Sequence, residues 1–488
     1  MQSLLLRRGS LGMFMACTAV NLCAQFGLGP AETFATLPRS VPAPQPPPIT
    51  RTVKVSEGQD FQAALNAAIT GMNIECSGLF IGNFYIPGVS GVELSGTCTL
   101  QSPNTSPALM NISATEGFGW KGNVADRAAS DWWITGITIA TSGSIYHAVS
   151  INDDCDPDAA GMPSGITFSN VTVNGIHMAD GQQNGMYLDG ANISVIDSQV
   201  TQWQSSGTLL PEANAIEIIC GTGPYLFRGN TLSASSEDFL IAAPGSSPNV
   251  AASPITPADI TFTGNTLTKD LAWVGTKYGA DKNCWESKNS ERVLISGNNI
   301  QNCYPGSQTG EGILLTPRIG LGSPPQHFSV VSDTTITGNT IQAGVGISIS
   351  GMDNYCTPAM DCVYSERTLI SGNTITASRS PNGVAGSYGW CLQIDQPKAL
   401  LVTGMTCATD GQQSVFVDTY PCWQCSISSS AFNADFGGQG ITGPSALFHE
   451  ATGNANLGNL ISAVTISGIP KTKFQNEWVR LCTNCTLK

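Results

Sequence analysis

Charge is scarce in this chain. Asp, Glu, Lys and Arg make up 11% of 488 residues, and only His147, His177, His327 and His449 are histidine. Lys and Arg number 21 against 35 Asp and Glu, a net charge of −14, so no basic stripe exists to neutralise phosphates and nucleic acid is excluded as a partner. No Ser-His-Asp arrangement or Gly-rich phosphate loop stands out, and each histidine reads as a surface or turn residue. No basic amphipathic helix points to a membrane surface. Long apolar runs are missing too. Leu11 to Ala24, behind Arg7 and Arg8, is too short to span a bilayer and reads as a secretory signal over residues 1–24. Residues 25–52, containing LPRSVPAPQPPPITR, read as a Pro-rich linker, and 53–488 as one domain with a Cys-containing C-terminal cap. The mature chain is expected to be a monomer, secreted or held at the cell surface or in the periplasm, with no membrane span.

What is abundant is a repeat. FRGNTL at Asn230, FTGNTL at Asn265, ISGNNI at Asn298, ITGNTI at Asn339 and ISGNTI at Asn373 recur about every 33 residues, and weaker copies extend from Ile134 to Phe432. Each copy alternates apolar and polar residues and contains Gly-Asn, which tolerates a left-handed turn, so it is a strand with a turn rather than a helix. The spacing between copies varies from 25 to 41 residues, too much for a propeller or a leucine-rich repeat. Coils of three short strands with loops of variable length fit it. The fold class is therefore all-β, a right-handed parallel β-helix of about a dozen coils, with Asn or Ser stacked at one position as a side-chain ladder of ~4.8 Å rungs. Gln59 to Ile69 places Phe61, Leu65, Ala68 and Ile69 on one face of a helix that can plug the first coil, behind Ser56 or Asp60 as cap.

Cys17 and Cys23 lie in the signal, leaving 14 of the 16 cysteines in the mature chain. An even number in an exported protein argues for disulfides, with Cys76–Cys98, Cys284–Cys303 and Cys356–Cys362 as short staples. Cys422-Trp-Gln-Cys425 and Cys482-Thr-Asn-Cys485 also have the spacing of a zinc ribbon, which leaves a metal as the alternative.

Chemistry is sought where charge concentrates, between Glu212 and Arg318. Aligning the strands that precede the repeats stacks Glu217, Ile241, Glu286 and Leu315 in one column. Glu217 and Glu286 then lie two rungs apart, ~9.5 Å between backbones, close to the upper limit for the acid and base of an inverting glycoside hydrolase. Lys288 and Arg318 follow the same column and are candidates for the base or the cation of a polyuronate lyase. Glu237, Asp238 and Lys269 in neighbouring coils, with Trp273 and Trp285 as stacking surfaces, are candidates for substrate binding. Asp153, Asp154, Asp156 and Asp158 have the spacing of calcium ligands, and an acidic turn is the alternative.

The stretch from Gln59 to Leu100 resembles the amino-terminal start of the pectin-lyase-like superfamily. NGMYLDGANISVIDSQVTQW (Asn184 to Trp203), GTGPYLFRGNTL (Gly221 to Leu232), KDLAW (Lys269 to Trp273), KNCWESKNSERVLISGNNIQN (Lys282 to Asn302) and GILLTPR (Gly312 to Arg318) resemble a group of secreted β-helix proteins of soil acidobacteria. The resemblance, from about Val53 to Thr376, implies the fold, export and a bacterial source, and implies no reaction. Two readings of function stay open. One is a secreted carbohydrate-active enzyme, hydrolase or lyase, with polysaccharide as partner. The other is a non-catalytic protein that binds glycans or cells.

Overall fold

The computed structural model describes residues 35–40 and 43–434, apart from loops at 103–107, 114–128, 153–161, 177–180, 207–211, 244–254, 279–281, 319–328, 352–364, 396, 411–414 and 418–424. Beyond 434 it describes short strands only. The segment of the signal lies outside these residues, as do the calcium candidates Asp153, Asp154, Asp156 and Asp158.

Every strand pairing is parallel, which alternating apolar runs achieve only by stacking coil on coil. Twelve strands form one sheet and 27 form a second, which contributes two strands to most coils. The Gly-Asn turn lies between those two: Tyr225–Arg228 and Thr231–Ala234 flank Gly229 and Asn230. The chain is a right-handed parallel β-helix, the hand that parallel crossovers adopt. Its interior is one continuous apolar core in which Tyr225, Phe227, Phe239, Phe262 and Trp285 stack along the axis.

The expected ladder forms. The backbone N and the Nδ2 of Asn230, Asn265, Asn298 and Asn339 each donate to Oδ1 of the next asparagine, at 2.8 to 3.1 Å. Ser198 continues it below, with its backbone N bound to Asn230 Oδ1. The preceding glycines, such as Gly264 at φ +66°, take the left-handed turn.

Helix α1 (Phe61–Asn66) covers the first coil and is shorter than the sequence suggests. Asp60, not Ser56, caps it, accepting from Ala63 N at 2.9 Å. Phe61 is buried against Phe80 and Phe84, and Leu65 is buried on the same helix. Because the helix stops at Asn66, Ile69 is turned out of the expected face and is 53% exposed.

Cys76–Cys98 and Cys284–Cys303 are bonded as expected, and Cys391–Cys407 adds a third bond. Cys425 is also in a disulfide, which answers the zinc alternative for that residue. Cys356 and Cys362 lie outside the described residues.

The Pro-rich stretch is not a free spacer where it is described. Thr50 N binds Gly71 O at 2.8 Å, Arg39 binds Asp259 through its backbone N (2.9 Å) and Nε (2.5 Å), and Thr36 N binds Asp333 Oδ1 at 2.8 Å. Gly71 and Asp333 are eight strand steps apart, or ~38 Å. The described segments 35–40 and 43–50 are thus anchored to coils far apart along the solenoid axis. Burial works against the Asp259 carboxylate, but Arg292 and Arg39 outweigh it and hold the group at about 2. A carboxyl held below its unfolded value stabilises above ~3.9, and the contribution is lost as pH falls through about 2. Asp259→Asn is expected to lower unfolding stability by about 2 kcal/mol at neutral pH and by progressively less between pH 4 and pH 2. Urea titrations across that window check it.

Candidate functional site

Eight successive strands of the 12-stranded sheet build the face that carries the charge: β1 (Ile145–Asn152), β2 (Gln182–Leu188), β3 (Asn214–Ile218), β4 (Phe239–Ile241), β5 (Trp285–Ser287), β6 (Glu311–Leu315), β7 (Val345–Ser350) and β8 (Trp390–Asp395). They do not alternate simply. Two consecutive residues turn inward, the first small and the second large: Gly185-Met186, Ala215-Ile216, Cys284-Trp285, Gly312-Ile313. A Cβ on Gly185 would meet Val200 at 2.4 Å, and one on Gly312 would meet Ile341 at 2.5 Å. The residues either side of each pair, three apart, face outward. They form two columns, His147-Asn184-Asn214-Glu237-Asn283-Glu311 and Ser150-Tyr187-Glu217-Leu240-Glu286-Leu314.

Glu217 and Glu286 therefore share a column two rungs apart, as the alignment of the sequence places them. The rungs beside them differ by one residue from that alignment. They are Leu240 and Leu314, not Ile241 and Leu315, because the doubled inward residue breaks the period of two.

Glu217 Oε2 accepts from Asn184 Nδ2 at 2.6 Å and from Asn214 Nδ2 at 3.4 Å. Burial pushes its carboxyl up, against the Asn184 bond and the charge of Lys288. Glu286 Oε2 accepts from Asn283 Nδ2 at 2.9 Å, and Oε1 lies 3.5 Å from Lys288 Nζ. Burial alone would raise Glu286 too, but Lys288, Glu237 and the Asn283 amide hold it below the usual glutamate range. Glu237 is displaced the other way: burial, and then the Glu286 charge, push it well up. Lys282 bridges Glu212 and lies 3.6 Å from Glu237 Oε1. Burial disfavours the ammonium of Lys288, but Glu286 and Glu237 outweigh it and raise its pKa. Burial lowers the His147 imidazole, leaving it neutral, with Nδ1 3.2 Å from the Asn184 amide.

The structure thus gathers Glu217, Glu286, Lys288 and Glu237. Arg318 follows the same edge, its backbone N on Lys288 O at 3.2 Å. The remaining substrate-binding candidates are removed from a polymer's reach. Asp238 occupies the small inward position and accepts from Ala234 N. Lys269 is 1% exposed and donates to the carbonyls of Ala234 and Ser236. Trp285 stacks in the core on Phe239, and Trp273 is fully buried at a 3-10 turn.

Sequence reasoning missed Asn184, Asn214 and Asn283, which set the carboxyls, and Glu212 and Lys282, which balance them. A signal for the amides exists: each asparagine precedes a small-large inward pair. Among the described residues no group of three or more His, Cys, Asp and Glu side chains is placed to hold a metal ion. No helix among them is long and apolar enough to cross a membrane.

No family model matches the sequence, and no curated protein is similar to it. Solved structures with a similar course of chain include a tailspike protein mutant of the E. coli bacteriophage HK620 in complex with pentasaccharide, at 10% identity and TM-score 0.43, over 83% of this chain. The chain spans 62% of that protein's length. Pectate lyase Pel9A matches at 13% identity and TM-score 0.39, over 70% of this chain and 82% of its own. An alginate lyase from a Paenibacillus species matches at 10% identity and TM-score 0.32, over 78% and 97%.

Proposed function

We propose that the chain is an exported glycoside hydrolase acting on a neutral polysaccharide, with Glu217 as general acid and Glu286 as general base. The observation that carries this reading is the placement of two carboxyls in one column with different partners, Glu217 on the Asn184 and Asn214 amides and Glu286 beside Lys288, surroundings that push the first up and the second down. Two groups of one chemical type, pushed apart by their surroundings, take the two roles of acid and base. Two rungs separate their backbones by ~9.6 Å, room for the water that an inverting reaction activates. Glu217 protonates the glycosidic oxygen, which leaves with its electron pair. Glu286 takes a proton from the water that attacks the anomeric carbon from the opposite face.

The alternative chemistry, β-elimination on a uronate polymer, fits less well. Lys288 is held protonated by Glu286 and Glu237, so it supplies a cation and not a base. One observation favours a non-catalytic glycan-binding face instead: Glu286 is 1% exposed, with both oxygens engaged.

The test is incubation of the purified chain with neutral and acidic polysaccharides, following reducing ends and the ultraviolet absorbance of unsaturated uronates. The expected result is reducing ends from a neutral polymer without that absorbance. Absorbance from an acidic polymer would replace the hydrolase with a lyase. Retention of polymer without cleavage would establish the binding face.

A further inference from the structure

Two aromatic groups, each with one exposed tyrosine, stand on the same face as the carboxyls, one at each end. At the first end, the His147 and Tyr187 rings lie 4.6 Å apart at 33°, and Tyr146 beside them is 47% exposed. At the other, Tyr388 lies flat on Trp390 at 4.1 Å and 8°, and is 50% exposed. Trp390 belongs to the same column as Glu311, Asn283 and Glu237: it pairs with Val345, which pairs with Glu311. Val345 is buried yet is not part of the core cluster, as befits an outward residue covered by its neighbours. Seven strand steps separate β1 from β8, or ~34 Å. Glu217 lies one step from Tyr187 and two from the strand of Tyr146 and His147, and Glu286 lies three steps from Trp390.

Between the groups the face carries buried acceptors with no hydrogen-bond partner among the described residues: Ser150 Oγ, Asn184 Oδ1, Asn283 Oδ1 and Glu311 Oε2. A buried acceptor without a donor costs about 1–3 kcal/mol, so such atoms mark where donors are meant to arrive. A row of acceptors between two aromatic faces suits a ligand with hydroxyl donors at its rim and apolar C–H faces on its rings, repeated along ~34 Å. Neutral sugar chains have that chemistry.

We propose that Tyr146, His147 and Tyr187 at one end, and Tyr388 and Trp390 at the other, form two outer subsites for a neutral oligosaccharide lying along the solenoid axis, with the scissile bond between them. The identity of the ligand as a glycan rests on the hydrolase reading; the placement of the subsites does not. A chain long enough to touch both groups gains from each, and a disaccharide at the carboxyls reaches neither Tyr146 nor Tyr388.

The experiment is calorimetric titration of β-1,4-linked hexaoses and disaccharides of glucose, xylose, mannose and N-acetylglucosamine into the Glu286→Gln chain, and into the same chain carrying Tyr146→Ala or Tyr388→Ala. Both tyrosines are exposed, and melting curves confirm that the variants fold. We expect at least one hexaose to bind, each tyrosine substitution to weaken it about tenfold, and disaccharide binding to stay unchanged. Equal hexaose affinity in all three proteins overturns the subsites; if the unaltered chain still cleaves polymer, the proposed function survives that result. If no hexaose binds, the subsites are again overturned. The hydrolase reading then falls with them only if the unaltered chain also cleaves no polymer.

Discussion

Glu286→Gln is expected to lower the rate of glycan cleavage about 10³-fold, the order of magnitude that one positioned acid or base supplies. The amide has nearly the same shape and keeps an acceptor for Asn283, so folding should be retained. Glu217→Gln should fall by a similar factor on polymers, whose leaving group needs its proton, and by much less on an aryl glycoside whose leaving group departs unaided. The pH profile separates the two roles. Glu217 acts when protonated, and burial raises it, so the basic limb of the profile lies above the ordinary glutamate range. Glu286 acts when ionised, and Lys288, Glu237 and Asn283 hold it low against burial, so the acidic limb lies below that range. Glu217→Gln should abolish the basic limb in residual activity and leave the acidic one. A basic limb that survives in Glu217→Gln would assign it to another group and remove Glu217 from the mechanism.

How legible this site is in the sequence depends on which constraint acts at each position. The coils are legible because every one needs the same turn, and Gly-Asn supplies both the left-handed backbone and the stacking amide; five near-identical copies result. The column of Glu217 and Glu286 is legible because a glutamate between two core-facing residues of an apolar strand is placed outward by its neighbours. The rungs between are not, since in FLI (Phe239–Ile241) and GILL (Gly312–Leu315) every residue is apolar or Gly and nothing distinguishes in from out. Trp285 and Trp273 show the opposite failure. Tryptophan suits a sugar-stacking surface and a wide core equally well, and only the inward doubling, with Cys284 bonded to Cys303, places Trp285 among Phe239 and Phe262. The anchoring of residues 35–40 is hidden for a similar reason. Proline-rich composition describes an extended conformation and leaves open what the chain lies against; Asp259 and Asp333 decide that, 220 and 297 residues away.

The largest loss of stability is expected in the asparagine ladder, from Asn298→Leu. Asn298 Oδ1 accepts from Asn265 N at 2.8 Å and from Asn265 Nδ2 at 3.1 Å, while its own Nδ2 donates to Phe262 O at 3.1 Å and to Asn339 Oδ1 at 2.8 Å. Leucine has the same branched shape, with two methyl groups larger than the amide atoms they replace, so no cavity forms and overpacking of the rungs adds to the lost hydrogen bonds. The substitution leaves Asn265 N without its acceptor in a site that is 1% exposed, and Phe262 O loses a donor. At about 1–3 kcal/mol for each buried group left unpaired, the loss should be about 4 kcal/mol. Asn298→Asp keeps the acceptor for Asn265 and loses only the donors, and it should lie between the two. Gly264→Ala provides the scale: nothing lies within 4 Å of the added Cβ, so only the left-handed backbone is strained, by about 1 kcal/mol. Because a solenoid transmits stability only between neighbours, hydrogen exchange should accelerate first in the coils of Asn265, Asn298 and Asn339. Exchange that accelerates equally in the coil of Cys76 would mean that the helix unfolds as one unit, with the ladder acting along its whole length.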